Sequence, residues 1–207
     1  MTKIKICGLF RPCDVEFINE ARPDYCGFII DFPKSHRNVS PNQVRSLVEH
    51  LDPVITPVGV FVDRPVAEVA ALLNDEIISV AQLHGEEDED YLAALRTLTG
   101  GKPVWKAFKV RNPADLAKAN SSSADQILLD NGYGTGACFD WDLAGKVKRP
   151  FFLAGGLNVS NLAQAIAEVA PLGVDLSSGV ETDRRKDREK ILAAVTAVRE
   201  TDRRSAT

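Results

Sequence analysis

Cys7 and Asp130 are the two side chains of this sequence best placed to move protons. Asp130 closes the apolar run QILLD, where a carboxylate needs either solvent at a mouth or a partner. Taken alone, it reads better as a loop-ordering or helix-capping aspartate. Cys7 closes KIKIC beside Gly8. A lone cysteine in that position is ordinarily a buried small hydrophobe. As a base it needs a thiolate favoured by positive charge or by helix N-termini. Two further stretches suit an anion. Gly155-Gly156 and Ser177-Ser178-Gly179 offer backbone N–H groups that glycine lets approach a phosphate, with serine hydroxyls as extra donors. Gly132-x-Gly134-Thr135-Gly136 supplies a third such loop. The same glycines also serve tight turns. Arg37 in PKSHR is ordinarily a surface arginine, though its fork of donors also suits a carboxylate. His84 in QLHG suits a pocket wall and, equally, a structural role. Neither H-E-x-x-H nor a C-x-x-C pair among the four cysteines occurs, so no metal site is expected.

These residues end elements that recur with a period. Short apolar runs rich in β-branched residues begin near Lys3, Cys26, Pro57, Ser79, Pro103, Gln126, Pro150 and Gly173, mostly 22–24 residues apart. Most are continuous rather than alternating, as in strands covered on both faces. Between them lie segments with helical spacing. PNQVRSLVEHL opens on Ser40-Pro41, an N-cap followed by proline at the first helical position. PVAEVAALL opens on Pro65, YLAALRTL follows the acidic run EEDED, NLAQAIAEV follows Ser160, and REKILAAVTAV comes last. PADLAKA and DWDLAGKV are shorter segments of the same kind. Eight strands alternating with helices predict a small, single-domain (β/α)8 TIM barrel over 1–200, with 201–207 as a frayed tail. In that fold the strand C-termini carry the chemistry. The candidates therefore gather at one mouth, and the loops after the seventh and eighth strands form a phosphate site. Gly132 to Ala137 also fits G-x-G-x-x-G/A, but a dinucleotide fingerprint belongs in a first βαβ unit and this stretch lies in the sixth. Trp105 and Trp141 are expected to pack, and EEDED to form a solvated helix start.

Composition narrows the partners. The chain has 207 residues, 25 basic against 29 acidic, a net charge of −4 that argues against a nucleic-acid-binding face. No apolar run approaches a membrane span and no secretory h-region opens the sequence, so a cytoplasmic protein with free thiols is expected. Nothing in the sequence sets an oligomeric state.

Taken in order, the strand ends resemble the phosphoribosylanthranilate isomerases of tryptophan biosynthesis. The matching motifs are KICG (5–8), GFIIDFPKSHR (27–37), VGVFVD (58–63), QLHG (82–85), LLDNGYGTGACFDW (128–141), LAGGLNVSN (153–161) and VDLSSGVE (174–181). The resemblance implies a barrel without cofactor that acts on a small phosphosugar. The reaction would turn N-(5′-phosphoribosyl)anthranilate into 1-(2-carboxyphenylamino)-1-deoxyribulose 5-phosphate by an Amadori rearrangement. Carried over residue by residue, Asp130 is the general acid, Cys7 the general base and Arg37 the partner of the anthranilate carboxylate. Asp175 contacts the sugar hydroxyls. Gly134, Thr135, Gly136, Gly155, Gly156, Ser177, Ser178 and Gly179 hold the phosphate. An acid must be protonated and a thiol ionised at neutral pH. The pocket is therefore expected to raise the pKa of Asp130 and lower that of Cys7.

Four places depart from the family pattern. Phe10 replaces threonine, His36 replaces proline, Tyr133 replaces a glycine, and ETDRRKD lacks a proline-glycine pair. Two other readings fit part of the pattern. A dual-substrate barrel also serving histidine biosynthesis generally uses paired aspartates, against Cys7 here. A catalytically idle barrel has no need of Cys7, Asp130 and Arg37 together.

Overall fold

The structure, a computed structural model, describes residues 1–130 and 144–205. Strands β1 (Lys3–Cys7), β2 (Tyr25–Ile30), β4 (Thr56–Phe61), β5 (Val80–Leu83), β6 (Val104–Lys109), β7 (Gln126–Asp130), β8 (Phe151–Leu153) and β9 (Gly173–Leu176) are the eight anticipated runs. Each pairs in parallel with its neighbour in that order, and β1 pairs with both β2 and β9, which closes the ring. The result is an eight-stranded parallel barrel. Around it run α1 (Pro12–Ala21), α2 (Pro41–Val48), α3 (Val66–Asn74), α4 (Glu89–Thr99), α5 (Pro113–Ser121), α6 (Leu162–Val169) and α7 (Arg188–Ser205). Two-residue strand β3 (Asn38–Val39) adds to β2, and β10 (Glu181–Thr182) with β11 (Arg185–Lys186) forms a small antiparallel hairpin.

Alternation along each strand divides the core in two. One set, including Ile4, Ile6, Phe28 and Leu129, packs under the helices. The other, Val58, Val80, Trp105, Ala107, Leu128 and Phe152, fills the barrel interior. Trp105 and Phe152 lie 4.9 Å apart, and Tyr25 meets both edge-on, so Trp105 packs as expected.

The helix starts follow their local chemistry. Ser40 and Gln43 cap α2 reciprocally, a capping box. Asp88 and Asn112 cap α4 and α5 through their side chains. Helix α1 was not anticipated, and α6 starts at Leu162 with Asn161, not Ser160, as its N-cap. The last helix continues through 201–205, where a frayed tail was expected. Asp202 accepts hydrogen bonds from the Thr2 N–H and hydroxyl, both at 2.7 Å, and so docks this turn on the barrel. Glu87 is not solvated either. It is buried, accepts from the backbone N–H groups of Asp63 and Gly85, and pairs with buried Lys106 at 2.7 Å. Trp141, Cys138, Tyr133 and the start of the DWDLAGKV segment lie outside the described residues.

Candidate active site

A cavity of about 200 Å³ opens at the C-terminal end of the strands. Cys7, Arg37, Gln82, His84, Asp130 and Asp175 line it together with Gly155, Gly156, Ser177 and Ser178. The barrel thus gathers residues from positions 7 to 178 around one small volume. A larger and more open groove of about 570 Å³ lies between the connections that follow β5 and β6, flanked by Glu86, Asp88, Lys109 and Arg111. It shares His84 but neither Cys7 nor Asp130, so only the smaller of these two cavities joins the two candidate proton carriers.

Cys7 ends β1, buried and facing inward. Opposite it on β2 stands Gly27, where a Cβ would come within 2.8 Å of Cys7 Sγ and 3.1 Å of Lys5 Nζ. Glycine here leaves room for both groups. Burial pushes the Cys7 thiol up, and the charges of Lys5 and Lys186 only partly offset it. The protein's own groups therefore leave the thiol above its ordinary range, where the sequence reading expected it below. On the other side of the cavity, His84 Nε2 lies 3.4 Å from Asp130 Oδ2.

Two polar residues beneath the mouth were not anticipated. Lys5 is fully buried and donates to both carboxylate oxygens of Asp175, at 3.0 and 3.1 Å. Burial alone would lower its pKa, but Asp175 and Cys7 outweigh burial and keep it charged. Asp175 is raised by burial despite Lys5, with Asp130 adding to the rise. Gln82 is also buried, and its Oε1 has no hydrogen-bond partner among the described residues. One signal for Lys5 was available: it shares the parity of Cys7, so a strand that turns Cys7 inward turns Lys5 inward too.

Arg37 reaches the cavity over Gly8, whose φ of +85° and missing side chain admit the arginine stem. Its Nε and Nη2 are already bidentate to Glu181, at 2.6 and 2.7 Å. The Nη1 edge is left unpaired among the described residues. Burial would raise the Glu181 carboxyl, but Arg37 and Lys186 overcome it and hold it at about 2. Lys186, also buried, donates to Glu181 and to the Ser177 carbonyl. Three of the departures from the family pattern meet at this point. Phe10 contacts His36 edge-to-face at 6.3 Å, His36 Nε2 lies 3.8 Å from Glu181, and the ETDRRKD segment forms the β10–β11 hairpin that presents Glu181 and Lys186. Asp183 and Arg184 turn that hairpin with both φ values positive, +50° and +61°, a pair that proline, fixed near −65°, does not adopt, so the turn here differs from a proline-glycine one.

The loops expected to hold an anion divide. Gly155 and Gly156 both take positive φ, +85° and +69°, and Asn161 fixes the turn by donating to the Gly156 carbonyl at 3.0 Å. Ser178 lines the cavity, whereas the Ser177 hydroxyl donates to the Cys7 carbonyl at 3.0 Å. Gly179 is set back, packed against the Leu157 carbonyl too closely for any side chain. Gly134, Thr135 and Gly136 lie outside the described residues.

Comparison with known proteins fits this geometry. Residues 4–197 match the family model described as N-(5′-phosphoribosyl)anthranilate (PRA) isomerase. The N-(5′-phosphoribosyl)anthranilate isomerase of Clostridium kluyveri is 43% identical over 202 residues, covering 96% of this chain and 98% of that protein. The phosphoribosyl anthranilate isomerase of Thermotoga maritima superposes with a TM-score of 0.85 at 33% identity, covering 97% of this chain and all of that one. Another solved phosphoribosyl anthranilate isomerase, in complex with reduced 1-(o-carboxyphenylamino)-1-deoxyribulose 5-phosphate, matches with a TM-score of 0.82 at 32% identity, covering 97% and 100% of the two chains. A closed parallel barrel, one cavity joining Cys7 to Asp130, and agreement along nearly the whole chain lead to one conclusion: this chain belongs to the N-(5′-phosphoribosyl)anthranilate isomerase family.

Proposed function

We propose that this chain isomerises N-(5′-phosphoribosyl)anthranilate to 1-(2-carboxyphenylamino)-1-deoxyribulose 5-phosphate, with Asp130 as acid and Cys7 as base. The observation that carries the assignment of roles is that both groups line one cavity of about 200 Å³. The anilino nitrogen forms a C1=N bond as the C1–O bond of the ribose ring breaks, and Asp130 gives its proton to the departing ring oxygen. The cationic imine acidifies the C2 proton. Cys7 thiolate takes that proton, and the C–H electrons become the C1=C2 bond of an enolamine. Moving a proton from the enol oxygen to C1 yields the ketone. The net transfer from Asp130 to Cys7 is reversed through solvent at the mouth.

Substrate phosphate would rest on the Gly155-Gly156 turn and Ser178. The anthranilate carboxylate would take the free Nη1 edge of Arg37, with Glu181 holding the opposite edge in place. Asp175 would accept from the sugar hydroxyls. The cysteines among the described residues, Cys7, Cys13 and Cys26, are free, which supports a reducing cytosol as the working compartment. The test is loss of anthranilate-linked fluorescence when purified protein meets the substrate. Turnover by the wild type and its loss in Cys7→Ala and Asp130→Asn would support the roles. Full activity in either variant would remove that residue from the chemistry.

A further inference from the structure

Three lysines are buried among the described residues, and their partners differ. Lys106 bonds the Gly85 carbonyl and Glu87, and Lys186 bonds the Ser177 carbonyl and Glu181. Both sit outside the barrel interior and tie loops down. Lys5 is inside the ring, one residue pair below the reacting end of β1. An ammonium has three N–H donors. Two go to the oxygens of Asp175, and the remaining side faces Cys7, with which Lys5 shares the space over Gly27. A buried charge pair is costly, and well-packed apolar residues often replace one without loss of stability. The apolar cluster of Val58, Trp105, Leu128 and Phe152 inside the same ring shows that this interior packs well without charge. The Lys5–Asp175 pair therefore calls for a purpose beyond stability.

We infer that Lys5 is the positioning cation for the Cys7 base, and that Asp175 competes for it until a sugar hydroxyl engages that carboxylate. The inference rests on the reading of Cys7 as base and Asp175 as sugar contact. In the free protein Asp175 acts against the thiolate twice, by holding Lys5 and by repelling negative charge. The other ionisable groups around Cys7 are the same in every variant: Lys186 in the hairpin attracts the thiolate, Arg37, His84 and Asp130 line the same cavity, and Cys26 on β2, itself raised by burial, stays neutral. A hydroxyl that donates to Asp175 spreads the carboxylate charge and loosens its hold on Lys5. The ammonium then turns to Sγ, and the thiol proton leaves to solvent through the mouth. The base is made when substrate arrives.

The test is the pH dependence of Cys7 alkylation by iodoacetamide, read by mass on the Cys7 peptide of the full chain. Lys5→Met should move the midpoint up by about 1–3 pH units, the usual influence of one close charge. Asp175→Asn should move it down, because the freed ammonium serves Cys7 alone. Opposite signs are the mark of competition. Shifts in the same direction, or none, would overturn the inference. If Lys5→Met does not fold, the nearly isosteric Asp175→Asn decides by its sign. In the wild type, the acid limb of kcat should lie at lower pH than that of kcat/KM, since the first reports the complex and the second the free enzyme. Coincident limbs would overturn the gating by substrate. Full turnover in Cys7→Ala would sink the reading of Cys7 as base itself. An inactive Cys7→Ala with unmoved alkylation midpoints would sink only the role of Lys5.

Discussion

The lower and upper layers of the barrel interior are built from the same strands two residues apart, yet they do different work. On β7, Leu128, shared by the floor and the cavity, gives way to Asp130; Phe152 on β8 gives way to Ala154 just past it; on β5, Val80 gives way to Gln82. The floor is apolar and close-packed, so it carries stability. The layer above holds buried charge and an unsatisfied amide, groups that folding alone would exclude. One step of the pleat separates a residue chosen for shape from one chosen for chemistry.

Substitutions in the two layers should therefore fail differently. Asp130→Asn, in the upper layer, should lower kcat by about 10²–10⁴-fold, the usual worth of one acid–base group, with little change in melting temperature. Steady-state kinetics beside a thermal melt would show this, and a large loss of stability would contradict it. Phe152→Ala, in the floor, should do the reverse. It empties a site packed on Trp105 and Tyr25 and should cost about 3–5 kcal/mol of stability in denaturant titration. Its kcat per folded molecule should stay within a few-fold of wild type.

Arg37→Ala should raise KM by about 10–150-fold, from the loss of about 1.5–3 kcal/mol of charge-assisted bonding. Because Glu181 fills one edge of the guanidinium, Glu181→Gln should reproduce part of that rise without touching substrate. A wild-type KM in the double variant Arg37→Ala/His36→Pro would leave the anthranilate carboxylate without its partner. Gln82→Met sits at the boundary and should separate the two layers' demands. It removes a buried, unpaired acceptor, so it should stabilise the fold by up to about 1–3 kcal/mol while raising KM. A loss on both counts would place Gln82 with the floor.

Acid should loosen the hairpin over Arg37 selectively. Glu181 is depressed to about 2, so its ion pairs stabilise the fold fully above the ordinary carboxylate range and lose that contribution as pH falls from there towards 2. Proteolysis at Arg184 and Arg185 should rise over that window, and Glu181→Gln should remove the pH dependence.

All eight barrel strands could be read from the sequence because most are apolar on both faces and bounded by turns. Helix α1 escaped because its start is atypical: Arg11 is a poor N-cap, and it works through its pairing with Asp14. The site was legible where residues stand at strand ends, as Cys7, His84 and Asp130 do. Lys5 and Gln82 were hidden inside strands, where a lysine or glutamine reads as a polar outward position. Glu181 and Lys186 meet Arg37 across about 145 residues of chain, a contact that local pattern cannot show. The same distance concealed the link between Phe10, His36 and the hairpin, which looked like separate departures.

Closure of the ring by β1 has a consequence for synthesis. β1 finds β2 some 20 residues on, but its other edge waits for Gly173 to Leu176, about 170 residues later. At roughly 5–20 residues per second, the ribosome leaves that edge bare for on the order of ten seconds or more. A bare strand edge is a template for wrong pairing, so this interval is the nascent chain's period of greatest exposure to aggregation and to chaperones. The bond that ends it includes the register of Lys5 with Asp175. A ribosome stalled just short of β9 would therefore hold nearly all of the barrel's strands and Lys5, but neither Asp175 nor Lys186.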